Sequence, residues 1–365
     1  MLVAKICLTG GPCAGKTSAL KKIKEELTSM GYKVFIINEE ATRLINEGIK
    51  PFGNDKINML DFEDIMLKEQ LTQEEVFVRA ANLLDNKCII ICDRGVFDIK
   101  TFLSKEEFNY LINKYNLSTL ELMDGYNLVI SLNTTAKGAL AFYTTENNNA
   151  RTEGIKEAII KDDNCIDAWC SNNNFMIVDN STDFNGKLDK IVDGIKNYLG
   201  ILEKHEKKYL VELTDELVKE LNKKDAVCID IKQTYLNTNK NYEMRLRKKT
   251  LDDNSTYFIT AKKNDHGNQK IIVDEKIDRK TYERLLNERK IINEVNKKRV
   301  CFSYNNNVYK LDKFENGMYL LETSPKVQIP SFINVIKDVT LDDNYYNIHI
   351  KDNKACIIKK GIIKW

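Results

Sequence analysis

The sequence predicts two domains: an α/β domain with a parallel sheet covered by helices on both faces, then an α+β domain whose strands form an antiparallel β-barrel. Three observations lead to this prediction. The chain has 365 residues, more than one ordinary domain uses. In residues 1–200, short apolar runs alternate with stretches of helical periodicity. After residue 200 the pattern changes to alternating segments rich in aromatic and β-branched residues. We therefore expect domains at residues 1–200 and 201–365.

The strands of the first domain are predicted from five short apolar runs. These runs are Ala4–Thr9, Lys33–Asn38, Cys88–Cys92, Leu128–Leu132 and Phe175–Val178. Helical periodicity between the runs predicts crossover helices, among them Ser18–Leu27 and Asn185–Leu199. Strands that are joined by crossover helices run parallel, which gives a parallel sheet with helices on both faces. The last of these helices ends the domain near residue 200.

The strands of the second domain are predicted from segments that alternate with a period of two residues. These segments are Lys207–Val211, Tyr242–Arg247, Thr256–Lys262, Val300–Tyr304, Val308–Phe314 and Met318–Thr323. A helix is predicted over Arg279–Asn296. Short strands without long crossovers favour antiparallel pairing, so we expect a sheet or barrel with a few helices.

The composition excludes several classes of protein. Hydrophobic residues make up 42% and charged residues 30%, which is too apolar for a disordered chain and too interrupted by charge for a membrane span. The nine cysteines have neither a paired CxxC arrangement nor the density of a disulfide scaffold, so we expect reduced thiols. The apolar stretch before the first glycine loop is too short for a secretory signal. We predict a cytoplasmic protein without a transmembrane segment, whose contact with membranes, if any, is peripheral and through head groups.

The charge is balanced overall but not along the chain. Lys plus Arg number 56 and Asp plus Glu 54, and the net charge of +2 argues against a nucleic-acid coat protein. Residues 1–200 carry 23 basic and 29 acidic side chains (net −6), while residues 201–365 carry 33 and 25 (net +8). The second domain is therefore the expected place for an anionic ligand.

Residues 10–17 form the most informative motif of the chain. They read Gly-Gly-Pro-Cys-Ala-Gly-Lys-Thr and fit the P-loop pattern GxxxxGK[ST], between a predicted strand and a predicted helix. Such a loop directs backbone N–H groups at a phosphate, Lys16 is predicted to contact the β- and γ-phosphates, and the Thr17 hydroxyl to coordinate Mg²⁺. The predicted nucleotide-binding residues are Gly10, Gly11, Pro12, Cys13, Ala14, Gly15, Lys16, Thr17 and Ser18. The nucleotide is ATP or GTP, since no Asn-Lys-x-Asp guanine motif fixes the base.

Four more residues, in addition to Lys16, are candidates for catalysis in the first domain. Asp93 ends a buried apolar run, the position from which a Walker B aspartate reaches Mg²⁺. Arg94 follows in an Asp-Arg-Gly turn that resembles small-molecule and nucleotide kinases, and this resemblance implies an arginine that faces the acceptor or the phosphates. Glu39 follows the second strand, at the sheet edge where acceptors bind in P-loop kinases. Arg151 lies in a polar segment where a lid would stabilise charge on the transferring phosphoryl group. Each has a structural alternative, as a loop or helix-start carboxylate or a surface arginine.

Several motifs together resemble the ATPase domain shared by bacterial nicotinamide riboside kinase and the TRPL translocation defect protein family. The motifs are the P-loop at 10–17, Glu39-Glu40-Ala41-Thr42, Asp93-Arg94-Gly95, Arg151-Thr152-Glu153 and Val178-Asp179-Asn180. The resemblance covers about residues 3–200. It implies a kinase-like P-loop NTPase. Because no arginine-finger or oligomerisation signature points to a ring-forming machine, we expect a monomer or small oligomer.

Basic residues of the second domain recur at alternate positions of predicted strands. Arg245 and Arg247 are two residues apart and therefore share a strand face. The same spacing relates Thr260 to the cation Lys262, and the cation Lys297 to the cation Arg299. Cations that line a barrel interior need an anion between them, and a polyphosphate fits this requirement. The alternative is an ordinary solvent-exposed face of Lys and Arg.

These residues resemble the CYTH, or triphosphate tunnel, domain over about residues 203–350. The predicted phosphate-ligand residues are Lys208, Arg245, Arg247, Lys262, Lys297 and Arg299, and the resemblance also includes Asp312-Lys313-Phe314. It implies a divalent metal held by opposed carboxylates, here Glu206 and Glu322. Two of the family's acidic positions are replaced, by Lys204 and Ser324. Because Mg²⁺ needs enough negative ligands, we favour binding of a phosphorylated ligand over triphosphate hydrolysis.

The order of the two domains is that of the TRPL translocation defect family, whose members are implicated in binding guanine nucleotides and phosphoinositide phosphates. The resemblance implies a Mg²⁺-dependent NTPase whose basic barrel binds polyphosphate, a phosphorylated small molecule or a phosphoinositide head group. Two alternatives stay open. One is a bifunctional nucleoside-type kinase and triphosphatase. The other, less favoured, is a polynucleotide 5′-end kinase whose barrel grips nucleic acid, with tyrosines 242, 257, 304 and 309 as stacking residues.

Overall fold

A computed structural model describes residues 3–142, 154–200, 206–224, 226–238, 242–265, 268–325 and 327–350, without the side chains of residues 142, 264, 265 and 268–272. The chain divides into two compact units, Met1–Tyr198 and Leu199–Trp365. Within the described ranges, no helix combines the length and the apolar character needed to cross a membrane.

The first unit is a parallel sheet of five strands in the order β2-β3-β1-β4-β5. The strands are β1 (Val3–Thr9), β2 (Lys33–Ile37), β3 (Cys88–Asp93), β4 (Leu128–Leu132) and β5 (Phe175–Val178). All neighbouring pairs are parallel, so the predicted parallel α/β domain is confirmed. β3 and β4 are buried along their whole length, which explains why their sequences are continuous apolar runs instead of alternating ones.

Helices connect these strands. They are α1 (Lys16–Ser29), α2 (Glu40–Asn46), α3 (Met59–Asn82), α4 (Lys105–Lys114), α5 (Thr119–Met123), α6 (Ile155–Trp169) and α7 (Phe184–Tyr198). A short 3-10 helix, Val96–Thr101, follows β3. Since parallel strands begin at the same edge, the loops after β1, β2, β3 and β4 all leave the sheet at its carboxyl edge, where ligands bind in open α/β sheets.

An aromatic cluster packs beneath the loop that follows β3. The Trp169 ring lies 5.2 Å from Phe97 and 5.0 Å from Tyr126, centroid to centroid. A Cβ atom at Gly95 would lie 2.8 Å from Trp169 Cζ2, so only glycine fits against this ring. The cluster therefore fixes the path of the chain immediately after Asp93 and Arg94.

The second unit is a sheet of nine strands in the order β10-β9-β8-β7-β11-β12-β13-β6-β14, and all neighbours are antiparallel. The strands are β6 (Lys207–Glu212), β7 (Cys228–Leu236), β8 (Tyr242–Leu251), β9 (Asn254–Asp265), β10 (Asn268–Ile277), β11 (Ile291–Tyr304), β12 (Asn307–Phe314), β13 (Tyr319–Thr323) and β14 (Asn334–Asp338). Two helices, α8 (Asp215–Lys223) and α9 (Arg279–Glu288), complete the unit.

One predicted element of the second unit is wrong in part. The helix expected over Arg279–Asn296 ends at Glu288, and the strand β11 begins at Ile291. From there the backbone pairs with β7, from Ile291 opposite Leu236 to Val300 opposite Cys228. The β-branched residues of this stretch favour an extended chain, and strand pairing satisfies its backbone groups, which overrides the helical pattern seen in sequence.

The two faces of this sheet differ sharply. On one face, α8 packs through Leu217 and Leu221 against an apolar cluster that includes Phe302 and Leu311. The other face carries charged side chains that alternate with those apolar residues along the same strands. At one end of the charged face, Ile350 joins a second apolar cluster.

The sheet curls over its charged face. β9 and β6 are six places apart in the strand order, which in a flat sheet is roughly 29 Å at about 4.8 Å per strand. The charges of Glu206 and Lys208 nevertheless shift the pKa of Lys262 on β9, which requires these groups to lie much closer than that. Among the described residues the strand order still ends at β10 and β14, so the hydrogen-bonded ladder is curled and is not closed into a ring.

The apolar face of the second unit provides a test of its core. Leu311 on β12 is 0% exposed, and its truncation leaves a cavity between the sheet and α8. We expect Leu311→Ala to lower the free energy of unfolding by about 2–5 kcal/mol. Val335→Ala on the edge strand β14, where the side chain is 37% exposed, should change it by less than about 0.5 kcal/mol. Urea unfolding followed by circular dichroism measures both, and equal effects would contradict this description of the core.

Candidate functional site

The P-loop occupies residues 10–15, between the end of β1 and the start of α1. Three of its residues have positive φ, Gly10 at 131°, Cys13 at 57° and Gly15 at 91°. A Cβ atom at Gly10 would lie 2.1 Å from the backbone oxygen of Leu132, so the loop passes directly against β4. Gly10 therefore meets both a conformational and a steric requirement for glycine.

Two side chains beyond β4 hold the first half of the loop. Asp162 on α6 is 0% exposed, and its Oδ1 accepts hydrogen bonds from Gly11 N–H (2.8 Å) and from Thr134 N–H (3.0 Å). The Thr134 hydroxyl donates to the Pro12 carbonyl at 2.6 Å. Lys137 Nζ lies 2.8 Å from Asp162 Oδ2, which supplies a charge partner for the buried carboxylate. The sequence analysis did not identify any of these three residues.

A buried lysine holds the second half of the loop. Lys187 on α7 is 3% exposed, and its Nζ donates to Ala14 O (2.9 Å), Asn133 O (2.7 Å) and Asn180 Oδ1 (2.7 Å). The Asn180 amide in turn donates to two backbone carbonyls, those of Thr134 and Lys137. The Asp179-Asn180-Ser181 segment after β5 is therefore held in place at Asn180.

Lys16 and Asp93 are brought to the same edge of the sheet. Lys16 Nζ donates to Gly10 O at 3.2 Å, and its charge acts on Asp93 and on Glu39. Asp93 is 8% exposed and its Oδ1 has no hydrogen-bond partner among the described residues. Burial raises the pKa of Asp93, and the positive charge of Lys16 acts in the opposite direction. Thr17 and Ser18 lie exposed in the first turn of α1.

This arrangement fits Mg²⁺. A buried carboxylate oxygen without a donor is a ready metal ligand, and a P-loop magnesium ion needs only one or two protein oxygens, because phosphate and water supply the others. Asp93 and the Thr17 hydroxyl are the residues that would hold the ion.

Glu39 and Arg94 form an ion pair at the carboxyl ends of β2 and β3. Arg94 Nε donates to Glu39 Oε1, and the Thr42 hydroxyl donates to Glu39 Oε2 at 2.7 Å. Burial acts to raise the pKa of Glu39, but the charges of Arg94 and Lys16, together with these hydrogen bonds, outweigh it and lower the pKa to about 2. Glu39 is therefore ionised at neutral pH. Arg94 has φ of 74°, so the backbone turns sharply at the residue that makes this pair.

Two more carboxyl groups that the sequence analysis missed lie beside Arg94. Asp98 accepts hydrogen bonds from the Thr9 hydroxyl and from Gly95 N–H, and it lies 3.8 Å from Arg94 Nη1. Glu63 on α3 is 4% exposed. Burial raises the pKa of Glu63 to about 8, because the opposing charge of Arg94 only partly offsets it. Glu63 therefore carries a proton at neutral pH.

Arg151, the predicted lid arginine, lies outside the described residues. The same holds for Lys204, one of the two positions where a carboxylate of the resembled family is replaced.

The six cations predicted to bind phosphate in the second unit lie on one face of its sheet. The strand registers place Arg247 opposite Gln233 and Arg245 opposite both Tyr235 and Thr260, and the same alternation extends through the neighbouring strands. The six are Lys208 on β6, Arg245 and Arg247 on β8, Lys262 on β9, and Lys297 and Arg299 on β11. Two further lysines share this face, Lys249 and Lys310. Lys249 and Lys297 are 1% and 4% exposed, so this is not an ordinary solvent-exposed face of lysines and arginines.

Two carboxylates neutralise one side of this face. Asp312 contacts Lys297 Nζ (2.6 Å) and both Nε and Nη2 of Arg299 (2.6 Å each). Glu322 contacts Arg299 Nη2 (2.6 Å) and Lys208 Nζ (3.5 Å). Burial acts to raise the pKa of Glu322, but these cations hold it well below its usual value. Burial lowers the pKa of Lys297 to about 8 despite its contact with Asp312.

On the side of the face formed by β8 and β9, Asp274 of β10 lies 3.5 Å from Arg247 Nη2, and Asp274 and Glu243 act on Arg245. Arg245 Nε is buried and has no hydrogen-bond partner among the described residues. Burial and the like charges of Arg245 and Lys208 lower the pKa of Lys262 to about 8, although Glu243 and Glu206 oppose the shift. An anion at this position would satisfy the guanidinium and favour the protonated lysine.

Both predicted metal ligands of the second unit lie among cations. Glu322 is taken up by Arg299 and Lys208, while Glu206 is 44% exposed and lies 3.9 Å from Lys310 Nζ. Within the described ranges, no group of three or more His, Cys, Asp or Glu side chains is arranged to hold a metal ion.

Comparison with known proteins gives one family. A family model described as an AAA domain matches residues 5–187, which is 183 of the 365 residues. No curated protein matches the chain.

Three solved structures similar to the chain come from Pyrococcus. They are the PH1012 and PH1819 proteins of Pyrococcus horikoshii OT3 and a conserved hypothetical protein, Pfu-838710-001, of Pyrococcus furiosus. The identities are 16%, 19% and 21%, and the alignments cover 33%, 35% and 35% of this chain and 80% of each of those chains. The TM-score is 0.26 in each case, a similarity that carries no argument about fold or function.

The buried Glu63 gives a pH-dependent test of the site's electrostatics. The folded protein holds the Glu63 proton up to about pH 8, whereas the unfolded chain releases it near the ordinary pKa of 4.5. The free energy of unfolding should therefore fall as the pH rises between these values. Glu63→Gln removes this loss and should flatten the pH dependence. The control is Glu75→Gln at an exposed position of α3, which should leave the profile unchanged. A Glu63→Gln profile as steep as that of the wild type would show that this carboxyl group does not titrate as described.

Proposed function

Because the chain belongs to the AAA domain family, and residues 5–187 form its P-loop nucleotide-binding domain, we propose that this unit binds ATP or GTP with Mg²⁺ and cleaves or transfers the γ-phosphoryl group. The observation that carries the proposal is the buried Asp93 Oδ1 without a partner, placed where the charge of Lys16 reaches it. Asp93 and Thr17 hold the ion, which neutralises charge on the phosphates. Lys16 adds positive charge, and the loop N–H groups bind the phosphate oxygens.

The electrostatics of Glu39 favour a positioning role over general-base catalysis. A general base works best when its pKa lies near the working pH, and Glu39 has a pKa of about 2. With Arg94 as its partner, Glu39 is suited to orient a water molecule or hydroxyl group and is a weak proton acceptor. A weak proton acceptor fits slow hydrolysis of the nucleotide. The first candidate is therefore a protein whose ligand binding is controlled by the bound nucleotide. The nucleoside-type kinase is the second candidate, favoured by the Glu39–Arg94 pair, which lies at the sheet edge where acceptors bind in P-loop kinases.

For the second unit we propose binding of a phosphorylated ligand, such as polyphosphate or a phosphoinositide head group, without hydrolysis. The buried cationic face supports binding, because Arg245 Nε has no partner and Lys262 is held among like charges. The engagement of Glu322 by Arg299 and Lys208 argues against hydrolysis, since a carboxylate held by cations is a poor metal ligand. The resemblance to the CYTH domain and to the TRPL translocation defect family implies a phosphorylated ligand. Because two of the acidic positions that bind metal in the CYTH family are replaced here, we propose binding of that ligand without its hydrolysis.

Three of the four tyrosines expected to stack on bases are used in packing, which gives nucleic-acid end processing little support, while Tyr242 is 38% exposed. Tyr309 is 1% exposed and its ring stacks on Phe302, on the apolar face of the sheet. Tyr304 packs against Phe332 and Tyr257 against Tyr282. These rings are used in packing and are not interleaved with the cations as a stacking platform would require.

The nucleotide proposal is tested by Lys16→Ala. Loss of the P-loop charge should weaken binding of ATP and GTP with Mg²⁺ on the order of 100-fold, without lowering the melting temperature. Lys24→Ala, at an exposed position of the same helix, is the control. Calorimetric titration measures affinity, and turnover is scored with and without a panel of nucleosides. Turnover stimulated by a nucleoside and abolished by Lys16→Ala would establish the kinase, whereas full retained affinity in Lys16→Ala would refute the site.

The anion proposal is tested by the double variant Arg245→Gln, Lys262→Gln. Removing these two charges should weaken binding of tripolyphosphate on the order of 100-fold, with or without Mg²⁺, and leave nucleotide affinity at the P-loop unchanged. The matched control is Lys248→Gln, Lys263→Gln, because these lysines lie on the same two strands but on the other face. Vesicles with and without a phosphoinositide distinguish a lipid head group from free polyphosphate. Release of phosphate from tripolyphosphate by the wild type would contradict binding without hydrolysis.

A further inference from the structure

Side chains from outside the P-loop hold its backbone in place. Lys187 is unusual among them because lysine is rarely buried. Its ammonium group is buried at 3% exposure, and each of its three N–H donors has an oxygen acceptor, at 2.7–2.9 Å. The acceptors belong to three different segments: the P-loop at Ala14, the end of β4 at Asn133, and the loop after β5 at Asn180. One buried charge therefore joins the loop to two strand ends.

The contact with Ala14 determines where the next N–H group points. In a planar trans peptide the C=O and N–H bonds point in opposite directions. Because the Ala14 carbonyl points to Lys187, the N–H of Gly15 points away from α7. The Pro12 carbonyl points to the Thr134 hydroxyl at 2.6 Å, so the N–H of Cys13 is turned away from β4 in the same way. Phosphate binding by such a loop depends on N–H groups turned inward.

We propose that Lys187 is a positioning residue for nucleotide binding, which fixes the Ala14–Gly15 peptide so that the Gly15 N–H faces the phosphates. Thr134 does the same for the Pro12–Cys13 peptide, through a neutral hydroxyl group. The proposal rests on the nucleotide site proposed above and adds to it a residue distant in sequence, which contacts the loop and not the nucleotide.

The charge of Lys187 makes this positioning sensitive to pH. Burial lowers the pKa of Lys187 to about 8, the charges of Asp162 on α6 and Asp179 after β5 act to raise it, and Lys16 on α1 and Lys190 on α7 act to lower it. The ammonium is therefore charged at neutral pH and loses a proton as the pH rises through about 8. A neutral amine has two N–H donors for three acceptors, so one of the three contacts is lost. Nucleotide affinity should accordingly fall above about pH 8.

The test compares two lysines of α7. Lys187→Met keeps an unbranched side chain that is one atom shorter and removes its donors. Lys190→Met removes an ammonium near the surface that contacts Asp179 and Ser181, both at 2.8 Å. Affinity for ATP with Mg²⁺ is measured by calorimetry between about pH 7 and pH 9, where the wild type should lose affinity as the pH rises. At about pH 7, Lys187→Met should bind on the order of 10- to 100-fold more weakly than wild type, and its affinity should vary less with pH. Lys190→Met should bind like the wild type at about pH 7 and keep the pH dependence, with the loss of affinity moved toward higher pH because Lys190 no longer lowers the pKa of Lys187.

Thr134→Val keeps the test decisive if Lys187→Met does not fold. Loss of the hydroxyl should weaken nucleotide binding on the order of tenfold and leave the wild-type pH dependence in place, because Lys187 is still present. Wild-type affinity that is constant across the pH range overturns the proposal, and so does a folded Lys187→Met that binds and titrates like the wild type. In both cases the nucleotide site itself stands. Absence of nucleotide binding in the wild type at every pH overturns the site and the proposal together.

Discussion

The nucleotide site depends on hydrogen bonds that fix the peptide groups of the P-loop from behind. Glycines give the loop its conformational freedom, and freedom alone does not choose which peptides turn inward. The choice is made by Asp162, Thr134 and Lys187, which bind the peptide groups of Gly11, Pro12 and Ala14. These side chains come from α6, the end of β4 and α7, so the loop takes its shape only when the sheet is complete as far as β5. The phosphate-binding geometry is thus a property of the whole first unit.

The same dependence explains where the charges of the site lie. Lys16 follows the loop directly, and its charge acts on Asp93 and Glu39. Arg94 contacts the carboxylates of Glu39 and Asp98. Arg94 has two acidic partners, while a buried oxygen of Asp93 has none. Of the charged groups at this edge, Asp93 is thus the one prepared for an added cation. An ion at Asp93 and an anion at the loop would compensate each other, which favours joint binding of metal and nucleotide.

The sequence predicted what is local and missed what is assembled from distant segments. The strands of the first unit were found because each is a continuous apolar run, and the P-loop because its residues are contiguous. Asp162, Lys187 and Glu63 were missed because a polar residue in a helix has the same sequence pattern whether it faces solvent or the interior. Burial distinguishes them, and it depends on tertiary packing. In the second unit, β7, β10 and β14 were not predicted, and β11 was partly taken for a helix, since pairing with distant strands decides these segments.

The second unit shows how a chain stabilises a buried cationic face before any ligand binds. Removing several cations from water is unfavourable unless carboxylates accompany them, and Asp312 and Glu322 serve this purpose for Lys297, Arg299 and Lys208. On the side formed by β8 and β9, Asp274 of β10 lies 3.5 Å from Arg247 Nη2, and Asp274 and Glu243 act on Arg245. Carboxylates therefore accompany the cations along the whole face. A phosphorylated ligand would still gain beside Arg245, because the Nε of this guanidinium lacks a partner among the described residues.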